Sequence, residues 1–377
     1  MKVLQVIPNL LKGGAQRLVI DICNDLINYS EVECVLLVLT NSKNEFHHIS
    51  KNINIVYLNV TFNLSVFKKS NIDINEYEKI VNEFRPDIIH SHLYFAELIC
   101  HENTRKNITY ISHFHDNMEQ LSNLKVPNIF SRKIMIHFYE KQRLLIKYNQ
   151  SNKVFLTISN DSYYYAKSIF PKNLASKVIK LKNAINHSLF INPDYKKLNK
   201  KQITLINVGN LLTKKNQIFI IDIVKYLISK GYNTNLTLVG EGSCRNEIIS
   251  RAKSLQIDKH VNMVGAVDNV QNLLWESNFY IHSAKYEPFG LVLIEAMASK
   301  TPIISFNGKG NQDIIIDNET GFLINNLNAK VFGDTIIKLF NDKTLYDNIV
   351  EKAYNFSKNY DIKEYSLKLL NIYEQEC

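Results

Sequence analysis

At 377 residues the chain exceeds the usual size of a single hydrophobic core, and the length favours two domains of ordinary dimensions. With 45% hydrophobic and 21% charged residues the composition is globular and excludes a disordered chain, while no apolar run approaches the roughly 18 residues of a membrane-spanning helix. The net charge of +9 favours an anionic partner and leaves nucleic acid, an anionic membrane surface and phosphorylated ligands open. Cys23, Cys34, Cys100, Cys244 and Cys377 are scattered, odd in number and form no C-x-x-C pair, which fits a reducing cytoplasm.

The opening MKVLQVIPNLLKGG is interrupted by Pro8 and Lys12 and reads as a first buried strand rather than a signal peptide. Apolar runs then alternate with helical patterns to about residue 185: VECVLLVLT, INIVYLNV, PDIIHSH, ITYISHFH and KVFLTIS, with helices expected over 15–28 and 75–84. Strands alternating with helices imply a parallel sheet covered on both faces. The stretch 187–202 carries Pro193, Lys196, Lys197, Lys200 and Lys201 with little apolar content, and the domain junction is expected there. Alternation restarts with ITLINVGN as strand, NQIFIIDIVKYLISKG as helix, NLTLVGEG as strand, RNEIISRAKSL as helix, and VNMVG, FYIHSA and TPIISF as strands. From Ala329 the pattern is helical. Two doubly wound α/β domains are therefore expected, 1–187 and 203–360, with a C-terminal helix over 361–377 crossing back to the first. Ligands would sit at the carboxyl ends of their strands, in a cleft between the domains.

Several strand-to-helix turns carry residues suited to phosphate chemistry. Gly13 and Gly14 open a helix after the first strand, without matching the dinucleotide fingerprint or the Walker P-loop; the turn reads equally as a ligand contact or a plain glycine turn. Gly209, Lys214 and Lys215 follow ITLINV, and Gly240, Glu241 and Gly242 follow NLTLV. A lysine there can neutralise a diphosphate as a point charge or simply be solvated.

The histidines His90, His92, His113 and His115 stand at strand ends in two H-x-H pairs, whose members share a face. Capping, ligand contact and metal ligation are all open for them, with His115 beside Asp116 the better placed for a ligand. No D-x-D occurs, so a carboxylate clamp for a divalent metal is not expected. The stretch 130–147 interleaves Arg132, Lys133, Lys141, Arg143 and Lys147 with apolar residues, as either a core-facing helix with a solvated basic face or a membrane-surface helix. Nothing resembles a nucleic-acid-binding module, and no nucleic-acid partner is expected.

The most informative element is EPFGLVLIEAMA. Glu287 precedes a buried helix expected over 291–299 and Glu295 lies within it. The unpaired amides and positive dipole end of the first helical turn let Phe289, Gly290 and Leu291 cradle a diphosphate. One carboxylate in front of that cradle and one about a turn behind it can grip hydroxyls at the two ends of a nucleotide-linked sugar. Alone, the pair also reads as a solvated loop acid and an exposed helix acid.

With GGAQ near the start, HD at 115–116, NVGNLLTKKN, LVGEG, HSAKYEPFGLVLIEAMASKTPII and ETGFLI, the sequence resembles the retaining glycosyltransferases of family 4, which have the GT-B fold. The resemblance covers nearly the whole chain and is strongest over 209–324. It implies two Rossmann-like doubly wound domains facing an interdomain cleft. Glu295 would hold the nucleotide ribose, Glu287 would sit by the donor sugar at the reacting centre, and the Phe289, Gly290 and Leu291 amides would meet the diphosphate. Lys215 matches the family lysine on the diphosphate, with Lys214 the alternative, Gly14 the amino-domain glycine and His115 the histidine positioning the sugar; Gly209, Gly240 and Glu241 complete the donor site. The chain departs from the family at Asn210, where Arg is usual, at Gln16 and Asn311–Gln312–Asp313, where Glu is common, and at NAIN over 183–186, a loose match to N-G-V-D.

The implied activity is transfer of a sugar, hexosyl or N-acetylhexosaminyl, from a nucleotide-diphosphate sugar to a glycan or lipid-linked glycan hydroxyl with retention of configuration, in capsule, O-antigen or lipopolysaccharide assembly. No cofactor and no catalytic metal is expected. The expected partners are the nucleotide sugar, a glycan or polyprenyl-linked acceptor and a peripheral contact with the inner face of the plasma membrane, in a cytoplasmic protein of undetermined oligomeric state. A sugar-nucleotide epimerase of the same fold and a non-catalytic sugar-nucleotide-binding subunit are the alternatives.

Overall fold

The structure is a computed structural model, and it describes residues 1–65, 70–123, 131–193 and 201–376. The chain divides into two compact units: 1–184 together with 362–377, and 185–361. The stretch 194–200 of the expected junction, Phe130 at the start of the basic stretch, and Cys377 lie outside the described residues.

The first unit is built on β1 (Lys2–Ile7), β2 (Glu33–Val38), β3 (Asn54–Tyr57), a short antiparallel pair β4 (Phe62–Asn63) and β5 (Asn71–Ile72), then β6 (Ile88–His92), β7 (Thr109–Phe114), β8 (Asn152–Thr157) and β9 (Val178–Lys180). Its main sheet is parallel, in the order β3-β2-β1-β6-β7-β8-β9. The winding therefore reverses between β1 and β6. Helices α1 (Gly14–Leu26), α2 (Asn75–Phe84), α3 (Tyr94–Cys100), α4 (Arg132–Tyr148), α5 (Asn160–Ile169) and α6 (Lys172–Ala175) connect the strands.

The strands are apolar in both parities because both faces are covered. One face packs Val3, Ile88, Ile111 and Val154 against Leu18 and Ile22 of α1 and Leu369 and Tyr373 of the C-terminal helix. The other packs Leu4, Val6, Ile89 and Tyr110 against α2 to α5. There the buried Glu97 carboxylate accepts from Ser91 (2.5 Å), Ser112 (2.6 Å) and Tyr148 (2.8 Å), tying α3 and α4 to β6 and β7.

The second unit holds β10 (Ile203–Val208), β11 (Thr234–Val239), β12 (Val261–Gly265), β13 (Phe279–His282), β14 (Ile303–Phe306) and β15 (Phe322–Ile324). They form a parallel sheet ordered β12-β11-β10-β13-β14-β15, which reverses between β10 and β13. Helices α7 (Ile218–Ser229), α8 (Arg245–Ser254), α9 (Val270–Trp275), α10 (Leu291–Ala298), α11 (Ala329–Asn341) and α12 (Lys343–Ser357) complete it. Helix α10 is apolar apart from Glu295 and buries Leu293, Ile294, Ala296, Met297 and Ala298, leaving Leu291, Val292 and Glu295 half-buried on its remaining face. The last helix, α13 (Ile362–Glu376), belongs to the first unit.

No helix among the described residues is long and apolar enough to cross a membrane. In α4 the basic residues do not form one solvated face. Lys141 is buried and donates to Asn123 (2.6 Å), Arg143 pairs with Glu140 (3.1 Å) and Glu102 (3.3 Å), and Lys147 pairs with Glu102, while Arg132 and Lys133 are exposed.

Candidate active site

In doubly wound sheets ligands collect outside the carboxyl ends of the strands where the winding reverses. In the second unit this is the point between β10 and β13, and the loops leaving those two strands carry most of the residues singled out by sequence. The loop after β10 runs through Gly209 and Asn210 to a 3-10 turn, Thr213–Lys215. The loop after β13 runs through Lys285 and Glu287 to Gly290, the N-cap of α10.

The two loops are stitched together. The Lys285 amide donates to the Lys214 carbonyl (3.0 Å), and the Ser283 hydroxyl donates to the Lys215 carbonyl (2.9 Å). This brings the Lys215 ammonium onto the Glu287 carboxylate as an ion pair, while Lys214 is exposed. His282, the last residue of β13, places Nε2 3.3 Å from the same Glu287 oxygen, and the Tyr280 hydroxyl lies 3.3 Å from His282 Nδ1. Burial alone would raise the Glu287 carboxyl; the Lys215 charge and His282 outweigh it and hold the group at about 2. Glu287 is thus a buried, ionised acid and not a solvated loop charge.

Its backbone is equally fixed. The Glu287 amide donates to the Gly308 carbonyl (2.9 Å), and Gly310 donates back to the Glu287 carbonyl (3.0 Å). A side chain at Gly310 would run into the carbonyl oxygens of Glu287 and Pro288, so the clamp needs glycine there. Asn311, where the family commonly has Glu, is fully buried and turns inward to Ser305 (2.9 Å) and the Phe306 carbonyl (2.6 Å). Gly308, Gly310 and His282 were not singled out by sequence; the glycine pair in NGKGNQ was the legible signal for the first two.

Helix α10 begins at Leu291 with Gly290 in the left-handed region (φ 97°) and no side chain capping it. Of its first-turn amides Leu293 donates back to the Gly290 carbonyl (2.9 Å), while those ahead of it have no intrahelical acceptor by construction and carry the positive end of the dipole. Phe289 is buried against Tyr360, Leu291 is half-buried, and Glu295 is a half-buried residue of α10, one helical turn beyond Leu291.

The two other glycine turns zip together. A side chain at Gly240 would strike the Gly209 carbonyl and one at Gly242 the Leu211 carbonyl, while the Leu211 amide donates to the Glu241 carbonyl (2.9 Å). The Glu241 side chain is exposed and meets Arg245 at 3.4 Å. Asn210 is exposed, and its carbonyl accepts from the Gln217 side chain (3.1 Å).

In the first unit, Gly14 is the exposed first residue of α1, and Gly13 caps it with extended backbone and no side-chain hydrogen bond. The carboxyl ends of β6 and β7 bring His90, His92, His113 and His115 together on the face covered by α1 and α13. The ring centroids of His90 and His92 lie 4.2 Å apart, those of His113 and His115 also 4.2 Å, both stacked. All four are buried. Burial pushes His115 down to about 3, and burial with neighbouring imidazoles drives His90, His92 and His113 well below their usual range.

One nitrogen each from His90, His92 and His113 lies within 4.8 Å of the others, close enough to raise a metal site. His92, however, already uses both nitrogens, on Gln5 (2.7 Å) and His115 (2.9 Å), and the rings stack rather than converge. Holding an ion would require His92 to surrender one of these bonds.

Comparisons with known proteins give the family and the fold. Residues 12–161 match the model described as Glycosyltransferase Family 4, and residues 191–356 match Glycosyl transferases group 1. The capsular polysaccharide biosynthesis glycosyltransferase CapH of Staphylococcus aureus is 24% identical over 99% of this chain and 98% of its own length. The poly(ribitol-phosphate) alpha-N-acetylglucosaminyltransferase of Staphylococcus aureus (strain COL) is 28% identical over 44% of this chain, which spans only about a third (34%) of that protein. Among solved structures, Anabaena HepE in complex with UDP-glucose superposes with a TM-score of 0.78 over 100% of both chains at 16% identity. The fold is GT-B, and the chain belongs to the glycosyltransferases, its amino-terminal part to the Family 4 type and its carboxy-terminal part to group 1.

Proposed function

We propose that the chain transfers a sugar from a nucleotide-diphosphate sugar to a hydroxyl of a glycan or lipid-linked glycan, with retention of configuration, in the assembly of a surface polysaccharide. The observation that carries this reading is the Lys215–Glu287 pair at the β10/β13 reversal, set beside the amino end of α10 in a member of this family. Relatives named for capsular polysaccharide biosynthesis and for poly(ribitol-phosphate) glycosylation support the setting.

In this reading the diphosphate lies against the Phe289, Gly290 and Leu291 amides, and Lys215 turns part of its charge from Glu287 to the phosphates. Glu295 holds the ribose. Glu287, already ionised and fixed by Lys215, His282 and the Gly308–Gly310 clamp, faces the positive charge that develops on the sugar as the leaving group departs. Catalysis then rests on orientation and on stabilising the leaving nucleoside diphosphate by fixed positive groups. His115 contacts the donor sugar, Gly14 contributes backbone on the acceptor-domain side, and Gly209, Gly240 and Glu241 shape the donor site. No catalytic metal or cofactor enters the scheme. The exposed Arg132 and Lys133 at the start of α4 are the residues we assign to a peripheral membrane contact.

The test is Glu287→Ala with UDP-, GDP- and ADP-linked sugars and a glycan acceptor, following release of the nucleoside diphosphate. Transfer should be lost with the fold retained by circular dichroism, and near-normal turnover would overturn the assignment. Formation of an epimer from donor alone, without transfer, would favour an epimerase. Donor binding without any release would mark a binding subunit.

A further inference from the structure

Among the buried histidines, one hydrogen-bonded chain runs from the C-terminal helix to His115, and its polarity can be worked out atom by atom. Gln5 on β1 donates from Nε2 to the Tyr373 hydroxyl of α13 (3.0 Å), and Tyr373 lies 2.6 Å from His90 Nδ1. With its amide nitrogen turned to Tyr373, Gln5 presents Oε1 to His92 Nε2 at 2.7 Å. A carbonyl oxygen only accepts, so His92 Nε2 carries a proton. Complete burial keeps His92 neutral, which leaves its Nδ1 a bare lone pair. That lone pair lies 2.9 Å from His115 Nε2, which must therefore be the donor. His115 is also buried and neutral, so its Nδ1 is an acceptor, and it has no hydrogen-bond partner among the described residues. Its residue is the least buried of the four, 8% exposed against 0% for each of the others.

We infer that Gln5, His92 and Tyr373 are positioning residues that fix His115 as the Nε2–H tautomer and present its Nδ1 as a hydrogen-bond acceptor for a sugar hydroxyl. The inference rests on the reading above that His115 contacts the donor sugar. It adds the sense of that contact: the sugar donates and the histidine receives. Two elements outside the candidate site impose it, the first strand and the last helix of the chain. An acceptor buried without a partner is costly, and a ligand hydroxyl that supplies the missing proton removes the cost on binding.

The experiment uses full-length protein labelled with 15N-histidine. Long-range proton–nitrogen spectra, assigned with His92→Asn and His115→Asn, should show Nε2 protonated and Nδ1 bare in both rings. A His115 protonated at Nδ1 would mean that the Gln5 amide is reversed and would overturn the inference. Gln5→Leu, which removes the acceptor, should mix the His115 tautomers and lower kcat for release of nucleoside diphosphate from UDP-glucose or UDP-N-acetylglucosamine by about tenfold or more, with little change in KM. Gln5→Glu keeps an oxygen opposite His92 and should restore both the tautomer and most of kcat, as an acid orients a catalytic histidine elsewhere. Tyr373→Phe should fall between. Wild-type kcat and an unchanged tautomer in Gln5→Leu would overturn the chain. Undiminished turnover in His115→Ala would instead defeat the reading of the site, whatever the spectra show about the tautomer.

Discussion

Lys215 and Glu287 leave different strands, β10 and β13, yet their side chains meet as a partly buried ion pair where the winding of the second sheet reverses. Each has a task in the proposed chemistry that the other partly satisfies without donor. In that proposal the lysine is held in place for the phosphate, and the acid is kept ionised.

Lys215→Met should therefore damage catalysis more than binding. Removing one fixed charge from a site that stabilises a departing anion costs on the order of 10² to 10³ in kcat, or about 3 to 4 kcal/mol. Lys215→Arg should recover only part of this, because a planar guanidinium does not occupy the point geometry of an ammonium. Steady-state kinetics on the two variants and on Lys214→Met, which should be near wild type, separates the lysines.

The same pair sets an acid limit on stability. The Glu287 carboxyl is held at about 2 in the folded protein against a usual value of 4.5. Its contribution is complete above pH 4.5 and is lost as the pH falls toward 2, because the unfolded chain takes up the proton first. The difference is worth about 3 kcal/mol at most. Between pH 5.5 and pH 3, urea unfolding should show a larger loss of stability in wild type than in Glu287→Gln, and the difference is the Glu287 contribution.

Much of this site was legible in the sequence because it lies in local patterns: the strand, the loop and the apolar helix around Glu287 are contiguous, and the glycine turns mark strand ends. The choice between Lys214 and Lys215 was not legible, because adjacent loop residues differ only in which way the stitched backbone turns them. His282 was hidden because a histidine ending an apolar strand looks like any core residue until its neighbour is known. The short strands Val178–Lys180 and Phe322–Ile324 were missed as strands, being too brief to establish a period. The basic face of α4 failed for a different reason. Helical spacing sets Arg143 and Lys147 one turn apart on one face, but Glu102 and Glu140 draw them inward, Lys141 is buried against Asn123, and Glu102 lies 41 residues before Arg143.

The histidine cluster predicts a second acid sensitivity, at higher pH. His90, His92, His113 and His115 are all held below their usual value of 6.5 by burial, so protonation favours the unfolded chain. Stability should be full above pH 6.5 and fall as pH drops below it, by about 1.4 kcal/mol per pH unit for each histidine that resists protonation. Neither nitrogen of His113 has a hydrogen-bond partner among the described residues. His113→Phe should therefore leave stability at pH 7.5 nearly unchanged and make the protein more stable than wild type at pH 5.5, as read by denaturant midpoints at the two pH values. A variant that loses stability equally at both would show that His113 holds its place by bonding and not by packing.

Two glycines around Glu287 should fail in different ways. Gly290 sits at φ 97°, and a methyl there would lie 2.8 Å from Leu293 and 3.3 Å from the Glu287 side chain. Gly290→Ala then strains the start of α10, at about 1 to 3 kcal/mol, and displaces the amides proposed for the diphosphate. Gly310→Ala leaves α10 alone but drives a methyl into the carbonyls of Glu287 and Pro288, so the clamp must open and the acid must move. Thermal melts with and without UDP-glucose or UDP itself distinguish them, since a ligand at about 100 times its Kd stabilises the native state by about 2.7 kcal/mol. Gly290→Ala should lose the shift given by UDP. Gly310→Ala should keep most of that shift while losing turnover, because what it displaces is the carboxylate proposed to face the sugar and not the cradle proposed for the phosphates.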